Sequence, residues 1–142
     1  LALSLLRSFR ENVQSAQDDD AIDAIVLRGE NGIFSGGFDI AHLGKTTRGE
    51  KTENVSDFND ILTRLVENGK KPCVAAISNL ALGGGLEVSM ACAARVATRG
   101  VKLGLPELKL GVIPGFGGTQ RLPRLVGLEK SLEMLGGALR GS

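Results

Sequence analysis

One histidine and two cysteines, with no cluster of either, leave this chain without the ligand set of a metal site. His42, the lone histidine, reads as an ordinary loop residue. Cys73 and Cys92 both sit in apolar surroundings, which argues against a disulfide scaffold and suits two buried thiols in a reducing compartment. Charge of one sign is also lacking. Seventeen basic residues face 16 acidic ones, and only Lys70 and Lys71 are adjacent basic neighbours, so nothing electrostatic favours nucleic acid or a membrane surface as partner. No apolar run reaches the length of a membrane-spanning helix. The full G-x-x-x-x-G-K-Ser/Thr pattern and a G-x-G-x-x-G run are both missing, which disfavours a phosphate cradle. The opening, LALSLLRSFRENV, has neither an initiator Met nor the layout of a signal peptide, and the closing LRGS is no targeting signal. Localisation has to be argued from elsewhere.

What is present is a globular composition, 42% apolar and 23% charged, in 142 residues. That length holds one domain, residues 1–142, with room for a hydrophobic core. Glycine is the compositional oddity: there are 20, half of them gathered in loops at 29–37, 83–85 and 115–118. Between them the patterns alternate. Leu5, Leu6, Phe9 and Val13 form a helical stripe over residues 2–17, and AIDAIVLRG reads as a buried strand. Phe58, Ile61, Leu62, Leu65 and Val66 mark the clearest helix, with Ser56 as candidate cap and Gly69 at its end. CVAAI is a second buried strand, and the triple glycine opens a helix over about 84–93. Short strand-like pieces precede a turn at Pro106, and two short helices follow, interrupted near Pro123 and Gly127. This alternation predicts an α/β fold with parallel strands.

Two of the glycine stretches follow buried strands, and the second leads into a helix. The first N–H groups of a helix have no internal acceptor, so such loops can present donors to an anion. Brought together, they could hold a carbonyl oxygen that gains negative charge during a reaction. Glycine would let the substrate come close. Equally, each loop could be no more than a tight turn. Glu87 lies in the first turn of the helix after the glycines, and Glu107 follows a proline. Two carboxylates can divide the work of orienting water and delivering a proton. Taken singly, Glu87 could simply favour the helix dipole and Glu107 could simply be exposed.

GIFSGGFDI, ALGGGLEVSMAC and LGLPELKLGVIPGFGGTQRLPRLVG together resemble the enoyl-CoA hydratase/isomerase (crotonase) family. Within it they are most similar to the hydratase domains of plant peroxisomal multifunctional fatty-acid β-oxidation proteins, and the likeness runs from about residue 3 to residue 135. The resemblance implies a crotonase (ClpP-like) superhelix of ββα units, here as a partial domain truncated at both ends. It implies oxyanion donors from the backbone of Phe38 and Gly84, catalytic roles for Glu87 and Glu107, and shaping of the coenzyme A entry by Gly36, Gly37, Asp39 and Ile40. Asp39 could instead cap a helix. The implied substrate is an acyl-CoA thioester, with no cofactor besides; NAD would belong to a dehydrogenase domain absent from this chain. Peroxisomal localisation, an oligomer and further domains of a longer multifunctional chain are implied in the same way.

Both glutamates being present points to hydration, with double-bond isomerisation as an alternative. An isomerase-only or thioester-hydrolase member of the superfamily is a further reading. Another is an inactive fragment that binds acyl-CoA or a partner through an exposed sheet edge. Gln120 or Arg121 is expected to buttress neighbouring loops, and Lys45, Lys70 and Lys71 are candidates for coenzyme A phosphates. Asn79 stands where the family usually has glycine.

Overall fold

The computed structural model describes residues 3–37, 55–136 and 138–140. Phe38, Asp39, Ile40, His42 and Lys45 lie outside the described residues. Helix α1 (Leu3–Asp18) is followed by strand β1 (Ile25–Arg28). Helix α2 (Val55–Ile61) runs directly into a π-helical segment, Leu62–Glu67, where the sequence pattern predicts one continuous α-helix. Strands β2 (Cys73–Ile77) and β3 (Leu80–Leu82) then lead into helix α3 (Gly84–Ala91). Strands β4 (Ala94–Ala97) and β5 (Lys102–Gly104) precede a 3-10 helix, Pro106–Leu110. Helices α4 (Gly118–Val126) and α5 (Leu128–Gly136) and strand β6 (Ala138–Arg140) complete the order.

Two small sheets result. One has the order β1-β2-β4 with all pairs parallel. The other has the order β3-β5-β6, parallel in its first pair and antiparallel in its second. The expectation of parallel strands therefore holds except at β6. The expected boundary at Pro123 is also corrected: Pro123 lies inside α4, and Gly127, with φ +82°, is what separates the two helices.

Alternation along β2 explains how the first sheet meets the core. Cys73, Ala75 and Ile77 are buried, while Val74 and Ala76 between them are only half-buried. The buried side packs against α1, α2, the π-helical segment and α3, whose Leu6, Val13, Phe58, Leu62, Val88 and Met90 belong to one core cluster. Fully burying a side chain of this kind is worth about 1.5–3 kcal/mol. On the opposite face Val26 and Val96 remain 64% and 67% exposed.

Helix α1 is fastened by Gln17 as well as by its apolar stripe. Its amide donates to the Leu65 and Lys71 carbonyls and accepts the Lys71 N–H, so a buried side chain satisfies three backbone groups at the end of the π-helical segment. Leu5, assigned to the stripe by periodicity, is 51% exposed. Helix α3 is the centre of the molecule, with all eight residues buried. That explains why its sequence has no polar face.

Candidate active site

The triple glycine is anchored at its first member. Gly83 precedes α3 with φ +53°, a conformation that a Cβ would strain, and its N–H donates to the Gly104 carbonyl at 2.9 Å. A Cβ on Gly83 would lie 2.8 Å from Glu107 Oε1, and one on Gly85 would lie 2.2 Å from the Cβ of Ser35. The sequence reading assigned these glycines to the approach of a substrate. At Gly83 and Gly85 the close approach is instead internal, by a carboxylate and by the preceding glycine loop. A strand that sequence reading merged into the loop, β3, directs the triplet there.

The loop after β1 is fixed to β3. Ser35 donates its N–H to the Leu80 carbonyl, and its own carbonyl accepts the Leu82 N–H, each at 3.0 Å. Gly36 is exposed. Gly37, with φ +102°, lies against the second loop, where an added Cβ would sit 3.2 Å from the Leu82 carbonyl oxygen. Its N–H donates to Ser35 Oγ at 3.2 Å. The two glycine loops therefore meet, as the oxyanion reading requires. Gly84 is the first residue of α3, so its N–H has no acceptor within the helix. Phe38, the other candidate donor, lies outside the described residues, with Asp39 and Ile40.

Glu87 projects from the first turn of α3 and is 1% exposed. One of its oxygens, Oε1, accepts the N–H of Phe116 at 2.9 Å and that of Gly118 at 2.8 Å. A Cβ on Gly118 would come within 2.7 Å of that oxygen, so the backbone can reach it only as glycine. Burial pushes the Glu87 carboxyl up to about 7; the two backbone N–H groups pull the other way, Glu107 adds to the rise and Arg121 opposes it.

Glu107 lies in the 3-10 helix, a segment with no fully buried residue. Its Oε1 rests against Gly83, while Oε2 is buried and has no hydrogen-bond partner among the described residues. Burial raises this carboxyl as well, against the pull of its own backbone N–H. Two carboxyls that burial shifts in the same direction thus flank the start of one helix. The arrangement can hold a proton near neutral pH and exchange it with a small polar group.

Behind Glu87 stands Arg121 on α4, 8% exposed. Its Nη1 donates to the Phe116 carbonyl at 2.7 Å, and its Nη2 donates to Glu67 Oε2 at 2.7 Å and to Thr63 Oγ1 at 3.3 Å. Of the two expected buttresses, Arg121 takes that place; Gln120 is exposed. Sequence reasoning missed Glu67 and Thr63, which lie more than fifty residues from Arg121 with no local signal joining them. Lys71 donates to the Ala16 and Asp19 carbonyls at the end of α1, and Lys70 is exposed. Both cysteines are buried, and burial pushes the Cys92 thiol up to about 12.

Among the described residues no helix is long and apolar enough to cross a membrane. A cleft of about 410 Å³ opens between α1 and β1, lined by Leu6, Phe9, Val26, Phe34 and Phe58 among others, and neither acid reaches it.

The site can now be set beside known proteins. The family model described as enoyl-CoA hydratase/isomerase matches residues 1–140. The glyoxysomal fatty acid beta-oxidation multifunctional protein MFP-a of Brassica napus is 56% identical over 137 residues, 95% of this chain and 19% of that protein. A probable enoyl-CoA hydratase of Bacillus subtilis (strain 168) is 42% identical over 136 residues, 96% of this chain and 53% of that protein. The crystal structure of enoyl-CoA hydratase from Bacillus anthracis superposes with a TM-score of 0.81 at 34% identity, over 99% of this chain and 55% of that one. The chain therefore spans about a fifth of its multifunctional relative and about half of the shorter ones, and its architecture is the crotonase fold. With a match extending over both glycine loops and both acids, the chain belongs to the enoyl-CoA hydratase/isomerase family.

Proposed function

We propose that this domain adds water across the double bond of a trans-2-enoyl-CoA thioester, yielding the 3-hydroxyacyl-CoA. The observation that carries the reading is the convergence on one glycine loop. Glu107 packs on Gly83, Gly84 opens the helix, and Glu87 stands one turn further along it. In this reading the thioester carbonyl receives the Gly84 N–H together with that of Phe38. Such donors act on charge that develops at the oxygen, and losing one typically costs about 2.7–4 kcal/mol of transition-state stabilisation.

Glu87 has one oxygen occupied by two backbone donors, which leaves Oε2 to take a proton from water as its oxygen bonds to Cβ. The electrons of the C=C bond move to the thioester, and the enolate oxygen rests in the donor pair. Glu107 shares that water and delivers the Cα proton, a role that fits its buried, unpartnered Oε2. Water's oxygen ends on Cβ with one of its protons, the proton that Glu107 gives up ends on Cα, the proton that Glu87 took passes to Glu107 to reset the pair, and no oxidant or cofactor is consumed. The coenzyme A entry is shaped by Gly36, Gly37, Asp39 and Ile40. The likeness to the glyoxysomal relative supports a place in fatty-acid β-oxidation, within a longer multifunctional chain of the peroxisome.

The test is loss of enoyl-thioester absorbance when the purified chain meets a short trans-2-enoyl-CoA, with Glu107→Gln run alongside. Turnover that disappears in the variant is expected. A folded chain with no turnover would reject the reading.

A further inference from the structure

Three successive peptide units surround Glu87 Oε1. The first carries the Phe116 N–H and the third the Gly118 N–H, the two donors to this oxygen. The middle unit carries the Phe116 carbonyl, and that carbonyl accepts from Arg121 Nη1 at 2.7 Å. The segment around them, Gly115-Phe116-Gly117-Gly118, is mostly glycine, and Gly117 has φ +84°. Its one side chain, Phe116, is buried with its ring 4.9 Å from that of Phe58, while the glycines leave the facing of each peptide unit to its hydrogen bonds. The guanidinium is in turn held from the other side by Glu67 and Thr63 on the π-helical segment. Burying a guanidinium is costly unless its partners are good. Here its Nε is buried with no partner, so the Nη contacts have to justify the position.

We propose that Arg121, anchored by Glu67, is a positioning residue that fixes the two backbone donors on Glu87 Oε1 and so decides which oxygen of Glu87 faces the reacting water. The inference rests on the reading of Glu87 as the base, and it adds a line of command from the π-helical segment to the proton acceptor. The charged groups acting on Glu87 are Glu107 from the 3-10 helix and Arg121 from α4. When the middle peptide is released, two hydrogen bonds to the ionised carboxylate weaken, and Glu87 holds its proton to higher pH.

Arg121→Lys and Glu67→Gln test this. A lysine ammonium keeps the charge but cannot hold the Phe116 carbonyl and Glu67 in one planar fork. Glu67 is half-exposed, so its replacement leaves the core intact. For Arg121→Lys the expected result is a fall in kcat of about tenfold or more, KM within about threefold, and an acid limb of kcat/KM displaced upward by about half a pH unit or more. Glu67→Gln is expected to move the same quantities less.

A ¹³C carboxyl titration of Glu87, identified by its loss in Glu87→Gln, reads the same displacement without turnover. It separates the two claims: a chain that turns over nothing rejects the hydratase reading, while the titration alone decides the positioning role. Folded variants in which kcat falls with an unmoved acid limb and an unmoved Glu87 titration would reduce Arg121 to ordinary scaffolding. Variants indistinguishable from the parent would overturn the proposal as well.

Discussion

The two acids occupy opposite kinds of structure. Glu87 rides on α3, where every residue is buried, and one of its oxygens is clamped by two backbone donors. Glu107 rides on a 3-10 helix with no buried residue, and its Oε2 has no hydrogen-bond partner among the described residues. The difference teaches how a pair of identical groups can be given unequal tasks. A base that must aim one oxygen at water benefits from a rigid mount. A carboxyl that shuttles a proton gains from an oxygen left uncommitted. The fold supplies the first through the core and the second through a proline turn at its edge.

The comparison is broken most directly by replacing each acid with its amide. Glu87→Gln and Glu107→Gln should each lower kcat by about 10²–10⁴, and the double variant should lose far less than the product of the two, because both act on one water. Full additivity in steady-state rates would mean that the acids work separately. A smaller effect is expected where the two mounts touch. Gly83→Ala places a Cβ 2.8 Å from Glu107 Oε1 at a backbone φ of +53°, so it should displace Glu107 and lower the unfolding free energy by about 1–3 kcal/mol in denaturant melts.

Stability against pH distinguishes the mounts further. Glu87 is raised from an ordinary carboxylate value to about 7 on folding, so its contribution is fully present below the unfolded value and is lost as pH rises through 7. Glu87→Gln keeps an oxygen for the Phe116 and Gly118 N–H groups and never ionises. Thermal melts should therefore show it gaining on the parent by about 2–3 kcal/mol between pH 5 and pH 9. An unchanged difference across that range would mean that Glu87 is not a buried titrating group. The smallest effect belongs to the exposed side of the second mount. Leu108 is 53% exposed on the same short helix as Glu107, and Leu108→Ser should alter stability by no more than about 0.5 kcal/mol.

Much of this was legible in the sequence, for reasons that differ by residue. Helix α1, strand β2 and helix α3 follow from periodicity and glycine because their partners are the whole core rather than one distant residue. Glu87 and Glu107 stood out as the acids beside the glycines and the proline, and the structure brings both to the triple-glycine loop. The backbone donors to Glu87 were only half legible. Gly117 and Gly118 signalled a turn behind the site, but nothing in their spacing revealed that two N–H groups meet on one carboxylate oxygen. Strand β3 was hidden because three residues are too few to show alternation. Glu67 looked like one more solvent-facing acid on a helix, since its partner lies fifty-four residues away.

The π-helical pitch of that segment has a consequence of its own. Between Leu62 and Glu67 the backbone bonds skip five residues instead of four, as the Asn68 N–H to Thr63 carbonyl bond shows. The segment thus holds one residue more than an α-helix would need for the same span. Removing a single residue there would let the same span close as an ordinary α-helix, with the chain on either side left in phase. Thr63 and Glu67 now both reach Arg121. The contacts that run from Glu87 through Arg121 thus end on a segment with one residue to spare.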